Sequence, residues 1–366
     1  MQRIGLALQT MYADLQQRCL DAAFDADFPE NGSFYQQEKK GRRYWYYSGY
    51  DSGGRKYTKY VGPVDDPAVT CRVSRFGQLK NSFRERRASV RALVAGDLPV
   101  TNPFTGSVLD ALARAGLFRL RACLVGTVAF QTYAGLLGVK LPDAQLMTGD
   151  ADLAQFLSIS TEVADSVPAM IEVLRSVDKT FAEISSLSDD RKAIAYKNAD
   201  GYKVEFLVPN RGSDVYAAQP PIMPALGGAA AQPLRFLDFL IWQPVRAVLL
   251  HNAGIAVNVP APERYAVHKL IVATRRRQEN IVKINKDLSQ AGTLIEAMAT
   301  DRHHHLLDAW GEGWQRGDAW RAALRQGRGM LPAPIREQLH DAIRRACAES
   351  GENPAALGVG DADQHR

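Results

Sequence analysis

The sequence predicts an α+β protein: an N-terminal helix, a basic β-rich module, a mixed-sheet core and a C-terminal helical domain. Three observations predict it. Short alternating apolar runs crowd residues 117–260, as in strands of one sheet. From Pro262 to about residue 349 the apolar residues recur at helical spacing instead. Near the N terminus, two Tyr-rich runs flank the turn-forming stretch Ser48 to Gly54.

At 366 residues the chain is long enough for two or three domains, each with its own core. Its net charge of +5 identifies no partner by itself, so the placement of the basic residues has to be examined. Cys19, Cys71, Cys123 and Cys347 are far apart and form no Cys-x-x-Cys pair, which argues against a disulfide framework or a zinc site. The first twenty residues lack the apolar run of a secretory signal, and no stretch reaches the roughly 18 apolar residues of a membrane span. A soluble, cytoplasmic protein is expected.

In chain order, Ile4, Leu8, Met11, Leu15 and Leu20 predict a helix over 1–24, within an N-terminal segment 1–30. Residues 31–66 form the basic aromatic β-rich module, and 67–116 a basic helical connector with one long helix over 67–96 and another over 107–115. The core spans 117–260. Its predicted strands are 117–125, 150–156, 181–184, 192–197, 202–208, 237–241, 247–250 and 255–259, with helices at 129–137 and 166–177 and a Gly/Ala/Pro-rich loop at 212–233. The helical domain, 261–350, holds predicted helices 262–276, 280–299, 303–326 and 333–349, with Pro262 suited to a first turn. Residues 351–366 are poor in apolar side chains and are expected to be disordered.

The chemistry concentrates in the core. Asp150 and Asp152 are two apart in a predicted strand, so both carboxylates face one side. Glu205 lies in the alternating run Tyr202 to Leu207 and joins them if its strand pairs alongside, about 4.8 Å away. Three clustered carboxylates repel one another, and a divalent cation removes that penalty. Mg²⁺, or Mn²⁺ in its place, suits oxygen ligands shared with substrate phosphates. Gly126-Thr127 ends one strand and opens a helix, where free N–H groups can meet a phosphate.

Gly126-Thr127, Asp150-x-Asp152 and Glu205 together resemble the DNA polymerase beta-type nucleotidyltransferase superfamily. Thr stands where that family has Ser or Gly, and the gap before Asp150 is longer than in minimal versions. The resemblance implies the nucleotidyltransferase fold, NTP as substrate, Asp150, Asp152 and Glu205 as catalytic metal ligands, and Gly126 and Thr127 as triphosphate contacts. Pro262 to Leu270, Arg275-Arg276-Arg277 and Lys286-Asp287 are similar to the C-terminal domain of AbiEii-like toxins. That similarity implies Lys269 as a phosphate contact, Lys286 and Asp287 as cleft residues, a toxin or phage-defence role on tRNA, and a protein antitoxin as partner.

Lys39, Arg42, Arg43, Lys56 and Lys59 interleave with Tyr44, Trp45 and Tyr46, a pattern suited to phosphates and stacked bases. An RNA acceptor is therefore expected there, although the same aromatics also suit an internal core. Two further readings stand beside it: transfer to a small molecule or protein side chain, and an inert fold that binds RNA or a partner. His303-His304-His305 is not read as a metal site, because consecutive helical residues point about 100° apart. Trp310, Trp314 and Trp320 are read as core aromatics.

Overall fold

The computed structural model describes residues 1–28, 32–50, 55–76, 83–142, 146, 148–163, 165–185, 193–210 and 220–360. Residues 51–54 of the predicted turn, Lys80, Lys192, positions 212–219 of the predicted loop and the last six residues lie outside that set. The chain forms two compact units, Gly5–Leu136 with Thr148–Val259, and Pro260–Arg366 with Met1–Ile4 and Leu137–Met147.

The larger unit opens with helix α1 (Leu6–Asp27). Tyr12 on α1 is buried, and its hydroxyl both donates to the Val248 carbonyl and accepts from the Val248 N–H, each at 3.1 Å. Strands β1 (Ser33–Lys39), β2 (Arg42–Tyr50) and β3 (Lys56–Pro63) make an antiparallel sheet. Lys40 and Gly41 turn between β1 and β2 with φ of 52° and 73°, the positive pair of a tight hairpin. The long helix expected over 67–96 is instead α2 (Pro67–Ser74) and α3 (Phe83–Ala95). Asp66 caps α2 by accepting from the Ala68 and Val69 N–H groups. Asn102 does the same for α4 (Pro103–Arg114).

The core sheet contains β4 (Cys123–Val125), β5 (Asp150–Ala154), β6 (Ala182–Ser185), β7 (Ala193–Lys197) and β8 (Lys203–Pro209), in the order β4-β5-β8-β7-β6. A strand from the predicted loop, β9 (Gln232–Leu234), pairs with β8. The β5–β8 pair is parallel, while β4–β5, β6–β7 and β7–β8 are antiparallel. Helix α5 (Gly126–Leu137) follows β4, and α6 (Leu157–Glu162) and α7 (Met170–Arg175) follow β5. Strands β10 (Val245–Leu249) and β11 (Ile255–Val259) form a separate hairpin.

Two expectations fail here. Residues 117–122 turn before β4, so only the end of that apolar run is strand. The strand expected at 237–241 is one helical turn, α8 (Leu237–Leu240), entered through Phe236 at φ 65°. A four-residue apolar run has no period to separate the two states.

The smaller unit is helical: α9 (Pro262–Arg275), α10 (Ile281–Met298), α11 (His303–Gln315), α12 (Asp318–Gly329) and α13 (Ala333–Ser350). The single helix expected over 303–326 breaks at Gly317, whose φ of 108° no helix admits. The start of the predicted disordered tail folds as well. Residues 354–357 make a 3-10 turn, and Leu357 and Val359 are buried. The cause is on α11. Trp310 is fully buried, and its indole N–H donates 3.0 Å to the Leu357 carbonyl, an acceptor a buried donor needs. No described helix is long and apolar enough to cross a membrane.

Candidate active site on the core sheet

Alternation builds the site. On β5, Ala151 and Leu153 are buried while Asp150 and Asp152 are half-buried on the other face. On β8, Val204 and Phe206 are buried while Lys203 and Glu205 are half-buried. The parallel register sets Asp152 opposite Glu205 and Asp150 opposite Lys203. Cross-strand partners share a face, so the three acids stand on one side of the sheet.

Neighbouring groups hold them. The Thr148 hydroxyl donates to Asp150 Oδ1, and Lys203 Nζ lies 2.7 Å from Glu205 Oε1. Val125 pairs with Asp152, which brings Gly126 to that carboxylate. Gly126 has φ 70°, and a Cβ built there would stand 2.7 Å from Asp152 Oδ2. The absent side chain is thus space that Asp152 occupies. Thr127, half-buried, begins the helix beside it. Tyr202 is buried next to the cluster. Burial pushes its phenol up to about 12, the Thr105 hydroxyl opposes the shift, and Asp150 and Asp152 add to it.

Three hard carboxylates on one face, two of them in register, are a donor set suited to Mg²⁺. The convergence expected of them is looser than a closed ligand shell. Among the described residues, the set of three whose ligand atoms lie within 4.8 Å of one another is His303, His304 and Glu349, not these acids. Glu205 is ion-paired to Lys203 through Oε1.

The nucleotidyltransferase family model matches residues 104–315, more than half of the chain, including strands β4 to β11. The chain belongs to the nucleotidyltransferase family. Comparison with curated proteins and with solved structures gave no match. Membership makes this α+β protein a transferase of nucleotidyl groups, with an NTP as the donor and a divalent metal as the family's usual cofactor.

The smaller unit of this nucleotidyltransferase shows where the other predicted residues lie. Asp287 is buried, with Lys269 Nζ 2.6 Å from Oδ1 and Arg276 Nε 2.5 Å from Oδ2. Lys269 also stands over the Tyr265 ring at 5.2 Å, as their four-residue spacing on α9 requires. Lys286 is half-buried beside Asp287 in sequence. Asp287 is thus a structural counter-ion for two cations of its own unit.

The β1–β3 module divides the RNA-contact expectation in two. Arg42, Arg43 and Lys56 are exposed, and Lys39 and Lys59 half-exposed. Tyr46 and Tyr47 are covered instead. Tyr46 is 2% exposed, Tyr47 is fully buried, and Phe28, Phe34 and Phe76 pack around Tyr47. Tyr46 is therefore not available to stack a base, which corrects that expectation. Trp45 packs on the same core and donates its indole N–H to Thr70 Oγ1 at 3.0 Å. Tyr44 is half-buried and lies 5.9 Å from the Tyr60 ring. A cavity of about 820 Å³ in this unit is lined by Arg72, Arg86, Arg119 and Arg246, and by none of the three acids. Arg72, Arg119 and Arg246 there are paired to Asp21, Asp165 and Asp66, and Arg114 and Arg121 also line the cavity.

Sequence reasoning missed Thr148 and Tyr202. Thr148 was legible, because positions 148, 150 and 152 share one face of an extended segment. Tyr202 was not, since alternation along β8 assigns it to the face opposite Glu205.

Proposed function

We propose that this nucleotidyltransferase moves an NMP group from an NTP onto a hydroxyl of RNA. The observation that carries the reading is the register of Asp152 against Glu205, with Asp150 two residues along the same face. A divalent cation held by these three carboxylates would offset the charge of the phosphates. Gly126 and Thr127 receive the triphosphate at the start of α5, where the helix dipole favours an anion. Glu205 takes the proton of the acceptor hydroxyl. That oxygen bonds to the α-phosphorus, the α–β bridge breaks, and pyrophosphate leaves.

RNA as acceptor is supported by the cations of β1–β3, where Arg42, Arg43 and Lys56 are exposed and Lys39 and Lys59 half-exposed, side chains that suit a phosphate backbone. The resemblance to AbiEii-like toxins supports tRNA as the RNA, a toxin or defence setting and a protein antitoxin. The test is incubation with each α-³²P-labelled NTP, Mg²⁺ and total RNA. Label is expected in RNA and should fall by about 100-fold or more in Asp152→Ala. It should also fall in the triple variant Lys39→Glu, Arg43→Glu, Lys56→Glu. Label in a protein or small molecule, or transfer undiminished in Asp152→Ala, overturns the reading.

A further inference from the structure

We propose that His303, His304 and Glu349 form a binding site for a divalent transition ion, Zn²⁺ above all. None of the three acids of the core sheet contributes to it. Consecutive histidines of one helix do not converge on an ion alone, but here the third ligand comes from a second helix. In the fold, His303 and His304 open α11 while Glu349 lies at the end of α13. The two Nε2 atoms reach the same oxygen, Glu349 Oε2, at 2.9 and 2.7 Å. One atom from each residue lies within 4.8 Å of the other two.

Those separations are close to what a metal needs. Two ligands of a tetrahedral ion with bonds of about 2.0 Å stand roughly 3.3 Å apart. Small side-chain adjustments open the group around an ion that replaces the Nε2 protons. Two imidazoles and one carboxylate suit Zn²⁺ and its neighbours, not Mg²⁺. The Thr300 carbonyl lies 3.2 Å from His303 Nδ1, where it can accept an N–H and direct the Nε2 lone pair toward the metal. Arg345 Nη2 lies 2.8 Å from the same Nδ1 and also donates to the Ala299 and Thr300 carbonyls. Metal binding retains the carbonyl bonds and gives up the contact to the ring.

The experiment is calorimetric titration of ZnCl₂ into the full chain in excess Mg²⁺, which occupies all-carboxylate sites. One Zn²⁺ per chain is expected, with affinity at least tenfold weaker in His304→Ala and in Glu349→Gln. Both side chains are about half exposed, so the variants should fold, and circular dichroism checks that they do. Zn²⁺ should also raise the melting temperature of the wild type and leave both variants unmoved. Absence of Zn²⁺ binding in excess Mg²⁺, or equal affinity in wild type and folded variants, overturns the proposal.

Discussion

At position 126 two separate constraints oppose a side chain. The backbone is left-handed, which costs a non-glycine residue roughly 1–2 kcal/mol. A Cβ would also press on Asp152 Oδ2 at 2.7 Å. The first constraint bears on stability and the second on the acid cluster, so Gly126→Ala separates them. Denaturant unfolding should show a loss of about 1–2 kcal/mol. Nucleotidyl transfer should fall by about 100-fold, the cost of moving a reacting group by an ångström. A variant that loses stability but keeps its transfer rate would show that Asp152 can shift without consequence. Gly126 was legible from its place between an apolar run and a helix. Its contact with Asp152 was not, because the β4–β5 pairing joins residues that lie far apart in the chain.

At the scale of elements, one carboxylate ties α9 to α11. Glu312 on α11 accepts from Arg264 on α9 and, at 2.7 Å, from Arg316. Burial alone would raise its pKa, and the two guanidiniums overcome burial and hold it below the ordinary glutamate value. The sign follows. A depressed folded-state pKa contributes stability that is present above the unfolded value of about 4.3 and is lost as pH falls through the folded value. Glu312→Gln should therefore destabilise at pH 7 by on the order of 1 kcal/mol, discounted because the carboxylate is one-third exposed. The wild-type advantage should shrink progressively below about pH 4, measured by denaturation at a series of pH values. The elements differ in how far the sequence revealed them. Strands β5 and β8 were readable because Ala151, Leu153, Val204 and Phe206 alternate with charged residues. The break at Gly317 was hidden, since α11 and α12 both carry helical periodicity and one glycine in such a pattern is commonly tolerated. The fold of residues 354–357 was hidden for another reason: it answers a buried indole on α11, and a segment's own composition does not report a partner's unmet hydrogen bond.

Across the whole molecule, the C-terminal helices do not make a self-sufficient piece of chain. Their compact unit also takes in Met1–Ile4 and Leu137–Met147. These two segments pair with each other. Arg3 bridges Val139, the Ile4 N–H donates 3.0 Å to the Gly138 carbonyl, and the Lys140 N–H donates 3.0 Å to the Gln2 carbonyl. The Arg3 guanidinium then reaches Asp301, after α10. Sequence periodicity places Ile4 in the first helix, but α1 begins only at Leu6 and Ile4 is 4% exposed in the other unit. Ile4 is therefore a core residue of the helical unit contributed from far away in sequence. Ile4→Ala should cost about 2–4 kcal/mol, the range for truncating a buried isoleucine that leaves a cavity. Where that loss appears is the sharper test. Hydrogen–deuterium exchange should speed up in peptides covering Leu137–Leu141 and α10, and stay unchanged in β5 and β8. Faster exchange in β5 and β8 with α10 still protected would assign Ile4 to the sheet unit. Because the chain passes from one unit to the other at residues 4–5, 136–137, 147–148 and 259–260, neither unit can be cut out as one continuous segment. A fragment starting at Pro260 lacks both partner segments, and its melting temperature should lie below that of the same helices in the intact chain.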